Sequence, residues 1–109
     1  MQQFALTLDL KDDKNLIAEY EAYHQQVWPE IIDSIKNTGI ISLKIYRWHC
    51  RLFMLLIADE DFSFETKNKA DANNAMVQKW ETLMWQYQQA LPATQPGSKW
   101  QLMDEIFSL

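Results

Sequence analysis

The chain has 109 residues, 48% hydrophobic and 13% aromatic, with two glycines and three prolines. That is the makeup of a single globular domain spanning 1–109 and excludes a disordered chain. A net charge of −5 argues against nucleic acid or an anionic membrane as partner, because both need clustered Lys and Arg.

Phe4, Leu6, Leu8 and Leu10 alternate with Ala5, Thr7 and Asp9, the pattern of a half-buried strand. The N-terminus lacks the basic run of a signal peptide, and no segment approaches the ~20 apolar residues of a membrane span. The charged turn KDDKN follows, with Asp12 or Asp13 available as a helix N-cap. From Asn15 to Asn37 the period becomes helical, with Leu16, Tyr20, Val27, Ile31 and Ile35 on one stripe and Ile17 and Trp28 on its flank. Gly39 is placed to take the left-handed conformation that ends a helix.

IISLKIYRW reads as a strand with Ile41, Leu43 and Ile45 on one face and Ser42, Lys44 and Tyr46 on the other. RLFMLLIA is a second strand, and the short link through His49 and Cys50 makes the two a hairpin without an Asn-Gly turn. Cys50 is the only cysteine, so no intrachain disulfide is expected, and a reducing cytoplasm is the expected compartment. Adjacent strand residues point to opposite faces, so His49 and Cys50 do not share a metal and Cys50 reads as a buried or edge thiol. Residues 59–74 are polar, with room for one short helix. A second long helix is expected from Asn74 to Ala90, its stripe formed by Val77, Trp80, Met84, Tyr87 and Leu91. LPATQPGS closes it with Pro92 and Pro96, and KWQLMDEIFSL ends the chain as a strand.

The order β-α-β-β-α-β is the α+β, ferredoxin-like pattern: a four-stranded antiparallel sheet with both helices on one face. The other face, with Ala5, Thr7 and Tyr46, is too apolar to lie comfortably in water, and a homodimer pairing these faces is the simplest remedy.

The stretch EYEAYHQQVWPEI, residues 19–31, holds the main chemical candidates. At roughly 100° per residue, His24 lies at the centre of the apolar stripe, with Tyr20 about 40° to one side and Trp28 about 40° to the other. Two readings stand. His24 is a neutral core histidine and Pro29 bends the helix around the sheet; or Tyr20 and His24, four residues apart on one face, project into a pocket and serve one small ligand. On the second helix, Trp85 projects roughly 140° from Trp80, and Glu81 roughly 100°. A carboxylate between two tryptophans can wall a sugar, since aromatic faces accept the C–H side of a pyranose and the carboxylate accepts its hydroxyls. Equally, Glu81 can be a solvated flank charge.

With these residues in place, the chain resembles the L-rhamnose mutarotase family. The Tyr-x3-His-x3-Trp-Pro-Glu run from Tyr20, the following NTGI, the strand KIY, the tryptophan-bearing helix ending in ALP and the final MDEIFSL carry the resemblance over nearly the whole chain. It implies a dimeric ferredoxin-like α/β barrel that interconverts the α and β anomers of a monosaccharide, a reaction whose chemistry requires no metal or redox cofactor. It further implies that His24 is the proton donor, and that Tyr20 and Trp80 contact the substrate. Two substrate positions depart from the rhamnose pattern: Glu81 stands where a second tryptophan is usual, and Leu43 where a tyrosine is usual. LTLDLKDD, RLFMLLIADEDF and WETLMW are closer to a subgroup associated with L-fucose, another 6-deoxy-L-hexose. Histidine gives and takes a proton near neutral pH, which ring opening and closure of a hemiacetal require. The runner-up is a non-catalytic or oxygen-handling barrel of the same fold, a small monooxygenase or a ligand-binding module, because fold alone does not separate these.

Overall fold

The computed structural model describes residues 1–92, 94 and 99–109. Strand β1 (Gln2–Leu10) leads to helices α1 (Lys14–Tyr23) and α2 (Pro29–Lys36), then β2 (Ile40–Trp48) and β3 (Arg51–Ala58). Helices α3 (Phe64–Ala72) and α4 (Ala75–Trp85) follow, and two short strands, β4 (Gln88–Gln89) and β5 (Gln101–Leu102), complete the sheet. The strands run in the order β2-β3-β1-β4, all pairs antiparallel, with β5 also on β1. This is the expected ferredoxin-like order.

The alternation read from β1 sets the layers. Leu6, Leu8 and Leu10 face the helices and are buried, opposite Met54 and Leu52 of β3. Two core clusters result. One gathers Leu10, Tyr20, Ile31, Leu52, Val77, Trp80, Met84 and Tyr87; the other gathers Leu6, Ile40, Met54, Leu56, Ala58 and Phe62. Burial of such side chains stabilises by roughly 1.5–3 kcal/mol each, which is what holds α1, α2 and α4 on the sheet. Caps set the starts: Asp13 accepts from the amides of Asn15 and Leu16, Ser63 from that of Thr66, and Asn74 from those of Met76 and Val77.

Four expectations are corrected. The helix expected over Asn15–Asn37 is two helices, because Pro29 begins α2 at its first position and does not bend a continuous one. A proline there loses no hydrogen bond, and it holds the preceding Trp28 extended (ψ 137). The helix expected to Ala90 ends at Trp85, because the backbone of Gln88 and Gln89 pairs with Leu10 and Asp9 on the edge of β1. The C-terminal strand covers only Gln101–Leu102, followed by one bond from the Met103 amide to the Ala5 carbonyl at 2.8 Å. Ile41 does not share a face with Leu43 and Ile45: the register slips between Ile40 and Ser42, and this bulge buries Ile40 and leaves Ile41 59% exposed.

Gly39 takes the left-handed conformation (φ 93) as expected, and a Cβ there would meet the Asp59 carboxylate at 2.7 Å. In the β2–β3 turn it is His49 that takes positive φ (52), in the place of the missing Asn-Gly. Cys50 is half-buried. Pro92 lies just past β4, and Pro96 lies outside the described residues. No described helix is long and apolar enough to cross a membrane.

Candidate active site in the cleft between helices and sheet

The break between α1 and α2 and the early end of α4 leave a cleft of about 1300 Å³ over the sheet. Tyr20, His24, Leu43, Trp80, Glu81 and Trp85 all line it. Trp28 does not line it: its ring meets that of Trp80 at a steep angle, with centroids 5.0 Å apart.

His24 is the C-cap of α1. The helix stops there, so the Tyr20 carbonyl lies within reach of the imidazole, and Nδ1 stands 2.8 Å from it. A carbonyl only accepts, so Nδ1 carries the hydrogen. Nε2 is left outside this contact. The rings of Tyr20 and His24 lie 4.4 Å apart, and the edge of His24 meets Trp80 at 5.7 Å. The tyrosine and histidine predicted to share a face thus stand side by side against the first tryptophan.

The Tyr20 side chain is buried, and burial raises its phenol above the usual value; a hydrogen bond from Gln88 pulls the other way, and the charge of Glu81 adds to the rise. Tyr20 is a neutral phenol throughout the physiological range.

Glu81 takes a different role from a bare wall carboxylate. The Lys99 ammonium donates to its side chain at 2.5 Å and to its backbone carbonyl at 2.9 Å, while lying 5.1 Å from the centre of the Trp85 ring. Glu81, Lys99 and Trp85 form one half-exposed charged corner at the cleft. Leu43 lies on the sheet floor.

Sequence reasoning missed two polar wall residues. Gln88 is buried, and its amide nitrogen lies 3.4 Å from the Tyr20 hydroxyl. A helix running to Ala90 hid it, since only the β4–β1 pairing turns it inward. Lys99 stands in no periodic pattern of the sequence and is brought to Glu81 only by β5. Among the described residues, no group of three or more His, Cys, Asp or Glu is placed to hold a metal ion.

The family model described as L-rhamnose mutarotase matches residues 3–109. The L-fucose mutarotase of Xanthomonas campestris pv. campestris is 44% identical over 111 residues, covering 100% of this chain and 89% of that one. An L-rhamnose mutarotase structure from Formosa agariphila superposes with a TM-score of 0.73 at 23% identity, covering 100% of this chain and 99% of that one. A dimeric ferredoxin-like protein from an uncultured marine organism gives a TM-score of 0.56 at 12% identity over 98% and 90% of the two chains. The two structures bear on the fold alone.

Proposed function

This chain belongs to the L-rhamnose mutarotase family, and from that premise we propose that it exchanges the anomers of a 6-deoxy-L-hexose, L-fucose ahead of L-rhamnose, with His24 as the acid and base. The observation that carries the reading is the 2.8 Å contact of His24 Nδ1 with the Tyr20 carbonyl in the cleft wall. It reserves Nε2 for proton transfer. The choice of L-fucose rests on the 44% identity to an L-fucose mutarotase over the full chain and on Leu43 and Glu81 standing where the rhamnose pattern has aromatic residues.

In ring opening, protonated His24 gives its Nε2 proton to the ring oxygen as the C1–O5 bond breaks. The O1–H bond supplies the electron pair of the new carbonyl, and its proton passes to solvent in the open cleft. Rotation about C1–C2 presents the other carbonyl face. In closure, neutral Nε2 takes the proton back from the O5 hydroxyl while O1 is reprotonated, so the cycle is balanced and needs no redox step. Tyr20 holds the sugar beside the imidazole, and Trp80 offers an apolar face. Glu81, with one oxygen engaged by Lys99, accepts a sugar hydroxyl with the other.

Saturation-transfer NMR on the anomer signals of L-fucose and L-rhamnose tests the reading. Acceleration over buffer, larger for L-fucose, is expected. Binding without acceleration would leave a sugar-binding module, and acceleration of L-rhamnose alone would overturn the sugar preference.

The reading includes a homodimer in a reducing cytoplasm. Its support is surface: Tyr46 is 54% exposed on the open sheet face, and Ile106, Phe107 and Leu109 of the C-terminal segment are almost fully exposed. A second copy covering both removes this apolar area from water. Sedimentation should give a dimer, and deletion of 104–109 should shift it toward monomer.

A further inference from the structure

We propose that Gln88 is a positioning residue that holds the Tyr20 hydroxyl as a hydrogen-bond donor to the anomeric oxygen of the sugar. The inference rests on the mutarotase reading for its substrate, and on geometry for the pairing itself.

Gln88 is only 6% exposed, the one polar residue among the buried described residues. Its backbone is fixed by antiparallel pairing with Leu10, and the neighbouring Tyr87 carbonyl accepts from the Lys11 amide at 2.8 Å. The side chain therefore issues from a rigid strand edge and reaches across to α1. There its Nε2 donates to the Tyr20 oxygen at 3.4 Å. Its Oε1 is the one buried side-chain nitrogen or oxygen among the described residues with no hydrogen-bond partner. A buried amide left half-satisfied beside a cleft calls for an explanation.

Direction is what matters. A hydroxyl that accepts from the amide keeps its own hydrogen to give. No described residue accepts that hydrogen from Tyr20, and Tyr20 lines the cleft beside His24. With His24 serving the ring oxygen, the phenol hydrogen meets O1, where charge develops as its proton leaves. A fixed donor aimed at developing charge is the type of contact that lowers a barrier without binding the ground state more tightly.

The test pairs Gln88→Met, which keeps length and loses both polar atoms, with Tyr20→Phe and the double variant. Anomer exchange is measured against sugar concentration. The expected result is a roughly tenfold fall in kcat with KM little changed for Gln88→Met, and no further fall when it is added to Tyr20→Phe, because the two act as one unit. Unaltered kcat, or losses that multiply in the double variant, would overturn the proposal.

A second readout does not need turnover. The Tyr20 phenol is titrated by NMR of its ring carbon at alkaline pH. Glu81 from α4, paired with Lys99, and His24 from α1 face it and are the same in both proteins, as are the neighbouring phenols of Tyr87 and Tyr23. A donor stabilises phenolate, so Gln88→Met should raise the titration midpoint. A lowered midpoint would mean that the amide accepts from Tyr20, and would overturn the proposal even with activity lost. If the wild type exchanges neither sugar, the mutarotase reading fails, while the titration still decides the pairing.

Discussion

At one end of the cleft, Tyr20, His24 and Gln88 are tied to one another and to backbone: imidazole to carbonyl at 2.8 Å, amide to phenol at 3.4 Å. At the other, Glu81 and Lys99 form a half-exposed ion pair beside the Trp85 ring. The first end is built on element ends locked by the core, where Tyr20 and Gln88 are buried. The second stands on the outer flank of α4 and meets a side chain that arrives from 18 residues further along the chain. The proposed proton transfer needs fixed geometry and a defined tautomer, which the locked end offers. The proposed selection among sugar hydroxyls can change without disturbing the fold: Glu81 in the charged corner is one of the two positions, with Leu43 on the sheet floor, where this chain departs from the rhamnose pattern.

The sharpest way to break this division is at the locked end. His24→Ala should slow anomer exchange of L-fucose by about 100-fold or more, as removal of a general acid-base group typically does. Because His24 is only half-buried, the thermal midpoint should hardly move. A variant with full activity would shift the proton-transfer role elsewhere in the cleft.

A smaller effect is expected at the charged corner. Glu81→Gln and Lys99→Met should each change the ratio of L-fucose to L-rhamnose exchange by a few-fold, up to about tenfold, through the loss or release of one hydroxyl acceptor. Unfolding in urea should change by less than about 1 kcal/mol, since a solvent-screened ion pair contributes little to stability. Equal loss for both sugars would erase the distinction between the two ends.

The smallest effect is on stability against pH. Burial holds the Tyr20 phenol above its usual value, so the folded state keeps this proton when the unfolded chain begins to lose it. The contribution is fully present below about pH 10, the ordinary tyrosine value, and falls as pH rises beyond that. Tyr20→Phe should flatten part of that alkaline decline in chemical unfolding, whereas Glu81→Gln should leave most of it.

Much of this architecture is legible in the amino-acid order, for local reasons. The alternation Phe4, Leu6, Leu8, Leu10 determined which face of β1 meets the helices, the pair Asp12 and Asp13 and then Asn74 marked two helix starts, the first cap proving to be Asp13, and the four-residue spacing of Tyr20 and His24 placed both rings on one face. A continuous helix would carry Trp28 to about 40° from His24 and make it a possible pocket residue. Once Pro29 starts a new helix, Trp28 becomes its N-cap and packs against Trp80 instead of lining the cleft.

What the amino-acid order determined by itself was therefore periodic or adjacent: strand faces, caps, and the pairing of a phenol with an imidazole one helical turn later. Only the tertiary structure decided that α4 stops at Trp85, that Gln88 turns inward from an edge strand on β1, and that Lys99 reaches Glu81. Those outcomes depend on backbone pairing between segments distant in sequence, whose hydrogen bonds and burial outweigh the local helical preference, and no local pattern encodes such a pairing.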